Sequence, residues 1–162
     1  MTASAAPTLM RALRDGFRDL LDDDVTVTLG VHLDHTPGVR VWVGYDDPQG
    51  QSSRGATEAQ SEGTMGTRNR DVVGEIPCAI LVQQFDFATD EALATAEGIV
   101  DAIGAWLADP AGLQLPQFRR VMFGSSTQWD YVLDEDEEGR VAAVALLVTF
   151  SVAFAARTYP AA

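Results

Sequence analysis

Between Thr8 and Leu21 the residues Met10, Leu13, Phe17, Leu20 and Leu21 recur at three- and four-residue spacing, which lays them along one stripe of a helix. Asp22, Asp23 and Asp24 close that segment. Val25, Val27 and Leu29 then alternate with Thr26 and Thr28 in the two-residue rhythm of a strand. Thr36-Pro37-Gly38 is a turn signal, and Val39, Val41 and Val43 resume the alternation beyond it, so the pair is expected to form a hairpin.

From 46 to 70 the pattern lapses. Gly50, Gly55, Gly63 and Gly66 are spread among Ser, Gln, Thr and Glu, with Met65 the only large apolar side chain. Such a stretch predicts a long flexible loop, either functional or simply mobile. A strand is expected over 72–85, with Ile76, Cys78, Ile80 and Val82 on one face and Pro77 marking an edge or a bulge. Thr89 is a candidate cap for a second helix, Asp90 and Glu91 suit its first turn, Leu93, Ala96, Val100, Ile103 and Leu107 form its stripe, and Pro110 stops it.

The last third predicts strands at 118–123, 129–133 and 140–157, with the acidic turn 134–139 joining the last two into a long hairpin. Val144, Leu146, Val148, Phe150, Val152 and Phe154 share the face expected to meet the helices. The opposite face carries Val141, Ala143, Ala145, Leu147, Thr149, Ser151, Ala153 and Ala155, where a solvated sheet would show charge. Fully extended, such a strand reaches roughly 53 Å, against about 40 Å for a compact domain of this length. It must bend, break or project. A second copy covering part of the charge-poor face is the economical expectation, with Leu147→Asp sparing the fold and Val148→Asp destroying it. The alternative is a core buried on both sides within one chain.

These elements predict an α+β fold: a mixed or antiparallel sheet of four to five strands, two amphipathic helices packed on one face, a long polar loop and a long C-terminal hairpin. A chain of 162 residues suits a single domain spanning 1–162, with flexible loop 46–70. The net charge of −13 disfavours sequence-independent binding to nucleic acid or to anionic lipid. The longest apolar run, Val141 to Val148, is too short to cross a bilayer, and no basic-then-apolar layout opens the chain. A single cysteine, Cys78, excludes an intramolecular disulfide and a thiolate zinc site, and suits a reducing compartment.

Candidate chemistry is sparse. His32, Asp34 and His35 offer metal-ligand types, but alternate strand residues diverge, and a polar lead into the Pro-Gly turn is the better account of them. Asp134 to Glu138 lack the ligand spacing of a calcium loop and suit a solvated hairpin tip. Ser125 and Ser126 follow Gly124 without a nucleophile elbow. The glycine-rich stretch lacks the Gly-Lys-Ser/Thr of a phosphate loop. Cys78 is expected to be a small core residue, and Trp42, Trp106 and Trp129 are too scattered for a base-stacking platform. No catalytic residue, cofactor site or metal site is assigned. A small ligand-binding or hydrolytic domain using His32, Asp34, Cys78 or Ser125 is the rival class.

Three segments carry a resemblance. Arg70-Asp71-Val72-Val73 leads into Ile80-Leu81-Val82-Gln83, an alanine-rich helix runs from Glu91 to Leu107, and Val144-Ala145-Leu146-Leu147-Val148-Thr149-Phe150-Ser151-Val152 closes the pattern. In this order the chain resembles the tail terminator, or tail-completion, proteins of long-tailed bacteriophages. The likeness spans most of the chain and rests on pattern, without an invariant motif. The loop 46–70 is long for the family's minimal form, and the 134–138 tip has no evident counterpart.

The resemblance implies a virion protein of the tail or neck, assembled in the host cytoplasm and not an enzyme. It implies a hexameric ring that ends polymerisation of the tail tube protein and meets the head-completion or stopper protein, with DNA passing through its bore unbound. On that reading Val141, Ala143, Ala145, Leu147, Thr149 and Ser151 form the subunit interface, and Arg54, Met65, Arg68 and Arg70 contact the tube from the polar loop. Another neck or head-to-tail joining protein fits the same pattern. Deleting 50–66 is expected to leave a folded protein that no longer caps tubes.

Overall fold

The computed structural model describes residues 5–31, 38–45, 54–60, 70–84 and 86–158. Two helices, α1 (Ala6–Leu20) and α2 (Thr89–Ala108), accompany seven strands: β1 (Val25–Leu29), β2 (Gly38–Val43), β3 (Thr57–Gln60), β4 (Arg70–Gln83), β5 (Phe118–Phe123), β6 (Gln128–Glu135) and β7 (Val141–Thr158). They form one mixed sheet in the order β1-β2-β4-β7-β5, with β3 added to β4 and β6 to β7. The α+β class and the one-sided helix layer match the pattern of the sequence. The strand number exceeds the expected four to five because both long central strands are flanked, on one side, by two shorter strands in succession.

The expected β1–β2 hairpin is corrected. The two strands run parallel, with Val25 opposite Val39 and Val27 opposite Val41. Alternation fixes which face a side chain takes but is blind to strand direction. Val27, Val41 and Val43 are buried, as either direction would allow. Gly30, at φ 67°, turns the chain away from β1, and its N–H donates to the Val43 carbonyl at 2.7 Å. The His32, Asp34 and His35 candidates lie outside the described residues.

Within the stretch expected to be loop, β3 pairs antiparallel with β4, Thr57 opposite Glu75 and Ala59 opposite Val73. Its local composition hides it, because the neighbouring β4 backbone supplies the template. A Cβ on Gly74 would overlap the Thr57 carbonyl oxygen and lie 2.8 Å from Phe154 Cζ, so glycine lets β3 and the Phe154 ring close over this point. Pro77 occupies the corresponding gap between β2 and β3. Its carbonyl accepts the N–H groups of Gly44 and Tyr45, each at 2.8 Å. A residue's N and O point to the same side of an antiparallel strand, so the donor that proline lacks faces the gap and costs no ladder bond.

The helices cover one face of the sheet. In α1 the buried stripe is Leu9, Leu13 and Phe17, while Leu20, assigned to the stripe from its spacing, is exposed. Phe17 meets Trp106 of α2 edge-to-face at 5.8 Å, and the indole fits because residue 16 is glycine. The α1 termini are tied by side chains from afar. Glu58 Oε1 accepts the backbone N–H of Ala5 at 2.7 Å and that of Ala6, supplying an anion at the positive end of the helix dipole. Arg18 donates Nε and Nη2 to the Val27 carbonyl at 3.1 and 2.9 Å. In α2 the cap position is Ala88, with no side-chain cap bond, so Thr89 is the first helical residue and not the cap. Its buried positions are Ala92, Ala96, Ile99 and Ile103. They pack with Ile76, Ile80, Leu146, Val148, Val152 and Phe154 in the main core.

Candidate assembly surface

β5 and β6 are two parts of one long antiparallel run along β7. Phe123 lies opposite Val152 and Gln128 opposite Thr149, with Gly124 to Thr127 bulging out between them. Gly124 donates its N–H to the Ser151 carbonyl at 2.7 Å, and a Cβ there would overlap Ser151, so the bulge is pinned against β7. Ser125 and Ser126 sit exposed on that bulge.

On the other side of β7, β4 runs only as far as Gln83 opposite Ala145. Residues 141–144 are paired with β6 alone, and β6 has no further strand beside it among the described residues. The closing hairpin therefore projects from the sheet, which is how the over-long strand is accommodated.

The outer strand of the ribbon, β6, is apolar on both faces. Trp129 and Tyr131 lie opposite Val148 and Leu146, on the helix side. Val132, opposite Ala145, faces the other side, and a register shift after it leaves Val144 unpaired and sets Leu133 opposite Ala143. Leu133 and Val141 are 62% and 58% exposed, and all of β6 is solvent-accessible. A two-stranded ribbon of this kind is marginal by itself in water, and exposed apolar groups beside an unpaired edge mark a surface that another chain covers.

The acidic tip is a closed turn. The Asp136 carboxylate accepts the N–H groups of Glu138 at 3.0 Å and Arg140 at 2.8 Å, and its second oxygen accepts Arg140 Nε at 3.0 Å. Arg140 also pairs with Glu138, and Gly139 takes φ 81°. The Asp136 and Glu138 carboxylates are thus engaged by the tip's own donors. Among the described residues no group of His, Cys, Asp and Glu side chains is placed to hold a metal ion.

The charge-poor face of β7 divides into zones. Ala145 and Leu147 belong to a buried cluster with Trp42, Tyr45, Ala79 and Leu81, in which Trp42 and Tyr45 meet edge-to-face at 5.0 Å. Leu147 is only 5% exposed, which corrects the expectation that a charge there would spare the fold. Thr149 and Ser151 are half-buried, Ala143 likewise, and Val141 is open. Towards the other end Val73 and Met122 are exposed beside half-buried Ala153 and Ala155. Of the loop residues, Arg54 is exposed just before β3, Arg70 begins β4, and Met65 and Arg68 lie outside the described residues.

Cys78 is fully buried in the main core, and burial pushes its thiol up to about 12, with the Gly44 backbone acting weakly in the opposite sense. It is poorly suited to nucleophilic work. The residues the sequence left out of the surface are Trp129, Tyr131, Val132 and Leu133. Their alternation signalled a strand, and only the sheet order, in which β6 pairs with β7 alone, shows that the strand is an edge among the described residues. Scans against protein-family models and searches of curated proteins give no match to this chain.

Proposed function

We propose that this chain is a structural assembly protein, a tail terminator of a long-tailed bacteriophage that forms a ring on the end of the tail tube and stops its growth. The observation carrying the reading is the β6–β7 ribbon, whose outer strand has exposed apolar side chains on both faces and an open edge among the described residues, and whose end extends past the sheet. A ring offers such an arm a neighbour at every position, because a head-to-tail contact closes on itself when its rotation divides a full turn.

Two further features support it. The sequence resemblance covers β4, α2 and β7, and the two strands among them form the spine of the sheet. The formal charge of −13 suits a bore that DNA traverses without adhering, since no counterion release would favour contact. On this reading the segment 46–70, with Arg54 and Arg70 at its described margins, faces the tube protein, the other rim meets the head-completion protein, and the protein resides in the virion neck after assembly in the host cytoplasm.

Negative-stain imaging of the purified protein mixed with growing tail tubes tests this. Rings with a central hole and tubes halted at lengths set by the time of addition are expected. Tubes that lengthen as they do without the protein would overturn the reading.

A further inference from the structure

The described arginines are unevenly placed along the long ribbon. Arg119, Arg120 and Arg157 gather where β5 meets the end of β7, around the carboxylate of Asp71, with exposed Glu75 opposite Ala153 the other carboxylate nearby on that face among the described residues. Arg119 Nη1 lies 3.3 Å from Asp71 Oδ2, and Arg157 is the cross-strand partner of Asp71. Arg120, opposite Ala155, points to the same charge-poor face. Next to them on that face are exposed Val73 and Met122, the latter 45% accessible. At the far end of the same strand, five acidic residues from Asp134 to Glu138 face one guanidinium, Arg140, and beside them Leu133 and Val141 are exposed.

One strand thus carries two apolar patches rimmed by opposite charge, roughly 43 Å apart at 3.3 Å per residue. No copy can bring its own two ends together. Two copies can. We propose that the acidic ribbon end of one copy seats against the arginine-rimmed end of the next, with Leu133 and Val141 covering Met122 and Val73. This rests on the ring reading above and specifies its contact. The apolar groups supply the area and the charges set the register and exclude the like-charged alternative, in which tip meets tip. In a ring the contact repeats head-to-tail, each copy giving its tip to one neighbour and its arginine-rimmed end to the other.

Charge exchange tests it. In one variant Asp134→Arg, Glu135→Arg and Glu137→Arg together reverse the sign of the tip, leaving the turn-forming Asp136 and Glu138 intact. In the other Arg120→Glu and Arg157→Glu reverse the opposite end, leaving the Arg119–Asp71 pair. Sedimentation velocity at low salt should show the wild type assembled, each variant alone weakened at least tenfold, and an equal mixture of the two restored, because each then presents the end the other needs. Restoration also shows that both variants are folded. Raising the salt should dissociate the wild type if screened charges set the contact.

Variants that assemble as the wild type does, a folded mixture that stays apart, or wild-type assembly indifferent to salt would each overturn the contact while leaving the ring reading in place. A restored particle of only two copies would keep the contact and overturn the ring. A wild type that stays monomeric would overturn both.

Discussion

Gln83 and Ala145 are the last residue pair shared by β4 and β7, and beyond them the β6–β7 ribbon is held on the β4 side by no other strand among the described residues. The sheet is therefore a packed body on one side of that pair and an arm on the other. Substitutions of similar chemistry on the two sides are expected to have different consequences.

On the arm, Leu133→Asp replaces an exposed side chain and removes no packing within the chain. Stability should change by about 0.5 kcal/mol or less in urea unfolding of the dissociated protein, while assembly read by light scattering is lost.

In the body, Leu147→Asp should fail to fold, as should Val148→Asp, because each places an unpaired charge in a closed cluster. Losses above about 4 kcal/mol are expected for both. Circular dichroism checks this, and a native-like spectrum for Leu147→Asp would show that the second cluster opens to water.

Gly74→Ala should destabilise by about 1–3 kcal/mol, the range for forcing atoms into a packed site. The added methyl group meets the Thr57 carbonyl and the Phe154 ring together, and only the ring is free to move aside. The shift in the urea midpoint at constant slope measures it.

Glu58→Ala strips the acceptor from the first turn of α1 and is expected to cost about 1 kcal/mol, the usual value of a lost cap. Hydrogen exchange at Ala5 and Ala6 should accelerate more than at Leu13. The same bond alters the expectation for deleting 50–66, which removes β3 and Glu58 along with the polar flanks, so that deletion should lower the melting temperature as well as affect contacts with a partner.

Cys78 should resist alkylation in the native protein at mildly alkaline pH and react once the chain unfolds. Its folded value, about 12, lies above the ordinary thiol value of 9.0. The unfolded chain loses the thiol proton first, so this group's contribution to stability is fully present below pH 9.0 and falls as pH rises towards about 12. Unfolding midpoints of wild type and Cys78→Ala compared across that range isolate the effect.

Much of the architecture was legible because period and punctuation agree with it. The Leu13–Phe17 spacing, the Asp90–Glu91 start of α2 and the alternation from Leu146 to Phe154 each place a residue on the face it occupies. What escaped depends on partners distant in sequence. Val25 and Val39 read the same in parallel or antiparallel pairing. Thr57 to Gln60 form a strand because β4 is there, and Glu58 caps a helix more than fifty residues away. Leu147 looked like a surface residue because alternation identifies a second face, whereas Trp42 and Tyr45 decide whether that face is wet. Of the expected interface, Val141 remains an open contact position, while Ala145 and Leu147 belong to the chain's own interior.

Native mass measured from dilute to concentrated solution tests the central claim most directly. The account predicts a defined multiple of the chain mass, consistent with a closed ring, and its loss in Leu133→Asp with the fold retained. A wild-type protein that keeps the mass of one chain at every concentration, with Leu133 and Val141 in water throughout, would contradict it.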